Sequence, residues 1–273
     1  MGTHDPETNP AAFLGDELRR ARLAAGFASQ DALAARLGFD RSVITKVENG
    51  DRPPSVDVLS AWCAATNLDP EHFRRLAVLA RRAAGVVPTW FEGWLEAERE
   101  AHTLRWWSPL LIPGLLQTAD YARAIFMTEE DDEEQASRRA DARLERRAIL
   151  DQLDPPHLIV VLDEMVLHRP IGSPVIMADQ LEYLVSVGGR KNVSIHVLPA
   201  TGANAGLSGT FALASADGSP ETMLLEAVQD QVTQDRALVR RAFLLFDLVH
   251  RDALPRLPSR NLIVEAIEQW KTR

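Results

Sequence analysis

Residues 29–50 read SQDALAARLGFDRSVITKVENG, and their spacing predicts two short helices joined by a tight turn. That layout presents one helix to a DNA groove. Ser29 can cap the first helix, Ala32, Leu33 and Leu37 recur at helical spacing, and Gly38 supplies the turn. Asp40 can cap the second helix, in which Ile44 and Val47 face a core and leave Arg41, Ser42, Thr45 and Lys46 on the opposite side. A row of exposed hydrogen-bonding groups is what a major groove accepts.

The phrases S-Q-x-x-L-A-x-x-L-G, carried by Ser29 to Gly38, and S-x-I-x-K-x-E-N-G, carried by Ser42 to Gly50, resemble those of the Xre family of phage-repressor-like helix-turn-helix proteins. One departure is the turn Gly26-Phe27-Ala28-Ser29, one residue longer than the family's usual turn before the glutamine. The resemblance implies that Gln30, at the start of its helix, touches a phosphate, helped by free N–H groups and the helix dipole. It implies that Arg41, Ser42 and Lys46 read base edges and that Thr45 meets a base edge or a thymine methyl. It also places Arg52 against the DNA backbone and pairs Arg22 with Glu48 as a structural contact. The competing interpretation is that Arg41 and Lys46 are ordinary solvated charges on a surface helix.

Charge is distributed unevenly. Residues 13–84 hold 11 Lys plus Arg and 9 Asp plus Glu, a net +2, whereas residues 85–273 hold 19 basic and 28 acidic residues, a net −9. A local DNA footprint fits this pattern better than general polyanion binding does. So weakly basic a module binds poorly as one copy, which points to a homodimer on double-stranded DNA.

Hydrophobic residues make up 46 % and charged residues 25 % of the 273, as in globular proteins, and the length allows two domains. The absence of a long apolar run predicts no membrane span, and the polar start predicts no secretory signal. A cytoplasmic, nucleoid-associated protein is the expectation. The single cysteine, Cys63, lies among Leu59, Trp62 and Ala64 and reads as a buried inert thiol.

Along the chain, residues 1–12 are expected to be a disordered lead-in and residues 13–84 an all-α, five-helix helix-turn-helix domain. Its first helix runs over Phe13 to Ala25. Ser55 caps the fourth helix, with Val58, Leu59, Trp62 and Cys63 inward, and Pro70 opens the fifth, through about Arg82. Gly85-Val86-Val87-Pro88 marks the boundary to a mixed α+β domain over residues 85–273. There, Trp90, Phe91, Trp94 and Leu95 share a helix face reaching roughly His102, and RWWSPLLIPGLLQ is a short apolar stretch. A helix from about Thr118 follows, then an arginine-rich helix behind the acidic run Glu129 to Glu134. Strands are predicted at HLIVVLDEM, VSIHVLP, GTFALAS and TMLLEA, with helices at 174–187, 233–252 and 259–271.

The phrases PLLIPGLLQTADYAR, LDEMVLHRPIG, QLEYL and GANAGLSGTF resemble an uncharacterised domain that follows Xre modules in many actinobacterial regulators. Some such proteins are antitoxin-like and pair with a small toxin-like protein encoded nearby, so the resemblance implies a partner-binding or signal-receiving domain.

Catalysis is not expected. The histidines form no HExxH or CxxC-linked array, Ser208 in GLSGT lacks the nucleophile-elbow pattern, and Gly202 to Gly209 fit neither a P-loop nor a dinucleotide fingerprint. Asp163, Glu164 and His168 could form an acid-base set, but such strand-end groups commonly serve hydrogen bonding. Six consecutive acids cannot converge on one ion, and no metal or cofactor is expected. A sequence-specific, antitoxin-like repressor is the leading expectation. The alternatives are a ligand-sensing regulator and a protein-interaction module that no longer binds DNA.

Overall fold

The computed structural model describes residues 5–54, 56–83, 91–128, 132–207, 209–226 and 230–273. The chain divides into two compact units, Met1–Thr89 and Trp90–Arg273. The expected boundary at 84/85 and the cap at Ser55 lie outside the described residues, as do Trp90, Glu129 to Asp131 and Ser208.

The first unit is helical. It contains α1 (Pro10–Ala24), α2 (Gln30–Leu37), α3 (Arg41–Glu48), α4 (Val56–Thr66) and α5 (Pro70–Ala83). Its core gathers Leu14 and Leu18 from α1, Leu33 and Ala34 from α2, and Ile44 and Val47 from α3. Val58, Leu59, Trp62 and Cys63 of α4 and Phe73, Ala77 and Ala80 of α5 complete it. Leu14, Leu18, Leu33 and Ile44 are each at most 1 % exposed, and burial at this level stabilises by about 1.5–3 kcal/mol per side chain. Burial, and then the Asp69 carboxylate, pushes the Cys63 thiol above its ordinary range, away from the reactive thiolate form.

Two expectations need correction here. A disordered lead-in over residues 1–12 does not describe residues 10–12: Asn9 accepts from the N–H groups of Ala11 (2.8 Å) and Ala12 (3.4 Å), Pro10 occupies the first turn, and both alanines are buried. In α2 the inward residue is Ala34 rather than Ala32, because Leu33, Ala34 and Leu37 lie on the face toward α3 and α4 whereas Ala32 is exposed.

The second unit is a mixed six-stranded sheet with helices on both faces. Its strands are β1 (Thr103–Ser108), β2 (His157–Asp163), β3 (Val193–Leu198), β4 (Thr210–Ser215), β5 (Thr222–Glu226) and β6 (Gln231–Thr233), in the order β3-β2-β1-β4-β5-β6. The pairs β1–β2 and β2–β3 are parallel; β1–β4, β4–β5 and β5–β6 are antiparallel. The helices are α6 (Glu92–Glu100), α7 (Ala119–Phe126), α8 (Glu133–Arg146), α9 (Met165–His168), α10 (Pro174–Val187), α11 (Arg236–Asp252) and α12 (Arg256–Lys271). Leu104, Trp106, Val160 and Ile195 pack on the face shared with α7, α10 and α12, whereas Trp107, Val161 and Phe211 pack on the opposite face with Phe246 of α11.

RWWSPLLIPGLLQ, expected only as a short apolar stretch, begins inside β1, at the centre of the sheet. Leu104, Trp106 and Trp107 are all buried, and a strand covered on both faces shows no polar alternation to identify it. The preceding helix ends at Glu100 rather than near His102, whose N–H already donates to Ser215 O at 3.0 Å. Residues 231–233 form β6, so the next helix starts at Arg236 under an Asp235 cap, and the last starts at Arg256. Asp132 caps α8 through a capping box with Gln135.

Candidate nucleic-acid interface

The turn between α2 and α3 is built by local chemistry. Ser29 Oγ accepts from Ala32 N–H at 3.1 Å, Gly38 closes α2 at φ 75, and Asp40 Oδ1 accepts from Ser42 N–H at 2.7 Å. The Ser42 side chain and backbone N–H hold the Asp40 carboxyl below its ordinary value. Gly26 is likewise in the left-handed region, at φ 86, and the four-residue turn delivers Ser29 to the cap position.

Behind α3 the packing is too close for side chains. A Cβ on Gly15 would lie 2.5 Å from Val47 O and 2.8 Å from Glu48 O; one on Gly50, at φ 74, would lie 2.5 Å from Ala12 Cα. The backbone of α1 therefore sets the height and tilt of α3. An isolated glycine inside the α1 pattern is the sequence mark of such an approach.

Arg22 and Glu48 form a buried bidentate pair: Nε donates to Oε1 at 2.5 Å and Nη2 to Oε2 at 3.0 Å, with both side chains at most 5 % exposed. Arg22 Nη1 also donates to Phe27 O at 2.7 Å, so the same guanidinium ties down the loop before α2. Sequence reading missed this role of Phe27, because a backbone acceptor leaves no mark on residue type.

On the other side of α3, Arg41, Ser42 and Lys46 are exposed and Thr45 is half-buried, while Ile44, Val47 and Glu48 point inward. Arg41 faces Asp31 of α2 at 3.5 Å, with both side chains 63 % exposed. Such a surface pair contributes about 0–1 kcal/mol and is readily exchanged for a phosphate or a base. Arg52 is half-buried, and its N–H donates to Lys46 O at 3.3 Å, which places it just past the end of α3.

Gln30 is more engaged than a surface phosphate ligand needs to be. Its amide NH2 donates to Glu48 Oε2 at 2.9 Å, and its carbonyl accepts from Thr45 Oγ1 at 2.8 Å. An amide nitrogen carries two hydrogens, so one donor remains for a phosphate.

In the second unit, Asp163 and Glu164 are tied to loops, whereas His168 ends α9. Asp163 accepts from Met165 N–H (3.0 Å) and the Asn204 amide (3.4 Å), and Glu164 accepts from Ala200 N–H (2.8 Å). Trp107 Nε1 donates to Gly206 O at 2.7 Å, and a Cβ on Gly206 would lie 2.2 Å from the indole, so this glycine serves close approach. Among the described residues no group of three or more His, Cys, Asp or Glu could hold a metal ion, and no helix is long and apolar enough to cross a membrane.

Comparison with curated proteins gives no match, and comparison with solved structures gives none. The family described as "Helix-turn-helix domain" matches residues 14–76, a span that begins within α1, ends within α5 and carries α3 and its buried support. The family described as "Domain of unknown function (DUF5753)" matches residues 91–265, which is well over half of the chain. The protein therefore belongs to the DUF5753 family, with a helix-turn-helix domain, the fold of DNA-binding regulators, at its N-terminal side.

Proposed function

We propose that this chain is a sequence-specific transcriptional regulator of the Xre type, a five-helix DNA-binding domain joined to a partner-binding domain, acting as a homodimer on double-stranded DNA in the cytoplasm. The observation that carries this is α3: Arg41, Ser42, Thr45 and Lys46 on its outer side, with the buried Arg22–Glu48 pair and the glycine contacts at Gly15 and Gly50 fixing it from behind. Arg41, Ser42 and Lys46 read base edges, Arg52 meets the backbone, and Gln30 offers its second amide hydrogen to a phosphate. A dimer places two copies of α3 about 34–36 Å apart, or a multiple, on one face of the duplex.

In this mechanism the DUF5753 unit binds a small partner protein and thereby changes DNA affinity, as in an antitoxin-like repressor. It performs no catalysis, requires no metal or cofactor, and uses Asp163 and Glu164 to hold its loops. The test is selection from a pool of randomised duplexes, followed by binding of the enriched duplex against random DNA at fixed salt. Arg41→Ala and Lys46→Ala should each lose discrimination for the enriched sequence, a change of about tenfold or more per bidentate contact. Unchanged discrimination in both variants removes α3 as the reader.

A further inference from the structure

The hydrogen bonds behind α3 run in one direction and impose a polarity at its outer side. Glu48 accepts from the Arg22 guanidinium on both oxygens, and a carboxylate so paired has only acceptors to show a third group. Gln30 must therefore turn its NH2 toward Glu48, as it does at 2.9 Å, which leaves its carbonyl oxygen toward Thr45. A carbonyl cannot donate. The Thr45 hydroxyl consequently gives its single proton inward, to Gln30 Oε1 at 2.8 Å; the other acceptor within reach, Arg41 O at 3.1 Å, also belongs to the protein. Either bond uses up the donor, and the half-buried Thr45 oxygen keeps only lone pairs for anything that approaches α3 from outside.

We propose, on the reading that α3 enters a major groove, that Thr45 determines specificity with a fixed polarity. It accepts a hydrogen bond from an exocyclic amino group, adenine N6 or cytosine N4, and does not donate to guanine O6 or N7 or to thymine O4. A surface threonine outside such a chain rotates its hydroxyl to suit either kind of edge; here the buried ion pair removes that freedom.

The experiment uses the full chain. Selection from a randomised duplex pool is run on the wild type, Thr45→Val, Thr45→Ser and Arg41→Ala, and the base pair whose preference Thr45→Val loses is located. Synthetic duplexes then lack one group at that pair: purine replaces adenine or 2-pyrimidinone replaces cytosine to delete the amine, a 7-deazapurine deletes N7, and uracil deletes the thymine methyl. Deleting the amine should weaken the wild type and Thr45→Ser by about two- to tenfold and leave Thr45→Val unchanged. Deleting N7 or the methyl should leave the difference between wild type and Thr45→Val intact.

Sensitivity to N7 that disappears in Thr45→Val would show Thr45 donating and overturn the proposal; sensitivity to the methyl alone would also overturn it. If Thr45→Val selects the same sequence with the same affinity while Arg41→Ala does not, this proposal fails and the groove-facing role of α3 stands. If the wild type enriches no sequence, both fail.

Discussion

Removing Arg22 while keeping Glu48 is the sharpest perturbation of the first unit. Arg22→Met leaves a buried carboxylate, its side chain 2 % exposed, with the Gln30 amide as its one remaining side-chain hydrogen-bond donor among the described residues. Breaking a buried pair from one side costs about 3–5 kcal/mol, because one charge stays desolvated without its partner. Domains of this size are stable by about 5–15 kcal/mol in total, so the loss takes a large share. The chain has two units and need not unfold in one step, so the assay must be local. Hydrogen exchange of the α3 amides, followed by mass spectrometry on the full chain, meets that need. Protection should fall by a factor of roughly 150 to several thousand. The double variant Arg22→Met/Glu48→Gln should recover much of it, since the stranded charge is then gone. A fall smaller than about tenfold for Arg22→Met, or a double variant worse than the sum of the singles, would refute the claim that this pair holds α3.

The remaining predictions probe other contacts. Gly50→Ala should destabilise the first unit by at least about 1–2 kcal/mol from the left-handed backbone alone, with the contact on Ala12 adding to it; the same hydrogen-exchange measurement reads the loss on α1 and α3. In the second unit, Glu98, 2 % exposed, accepts from Arg146 at 2.9 and 2.6 Å and from Trp94 at 2.9 Å, so Arg146→Met should cost about 3–5 kcal/mol in denaturant unfolding followed by tryptophan fluorescence. Burial, and then the His196 ring 4.6 Å away, hold His250 below its ordinary value of 6.5, with Asp247 opposing and Arg105 adding to the depression. A base depressed on folding binds more protons when unfolded, so stability is full above pH 6.5 and falls as pH drops below it toward the folded value. His250→Gln should flatten that part of a melting-temperature profile between pH 7 and 5. Asp40 has the ordinary carboxylate sign: its cap is intact above 3.8 and is lost as pH falls through the lower folded value, which an NMR titration of Asp40 and the Ser42 amide would follow.

Local rules made much of the first unit legible. Ser29, Gly38 and Asp40 are written for caps and a turn, and Ile44 with Val47 fixes which side of α3 faces the core, so the candidate reading side followed from residues 29–50 alone. The second unit was legible where β-branched runs met turn residues, as in β2 and β3, and not where burial was two-sided, as in β1, or where a strand was only three residues long, as in β6.

Chain-distant contacts were decided by the tertiary structure. The sequence by itself determined that two short capped helices turn about Gly38 and that Arg41, Ser42, Thr45 and Lys46 share one side, because caps and helical period act within a few residues. Only the folded protein decided that Gln30 bridges Glu48 and Thr45, that Gly15 and Gly50 let α1 carry α3, and that Trp107 lies under Gly206 at the middle of the sheet. Those contacts join residues 15 to 99 positions apart, where the direction of a hydrogen bond and the room for a Cβ depend on how separate elements pack, which no local pattern encodes.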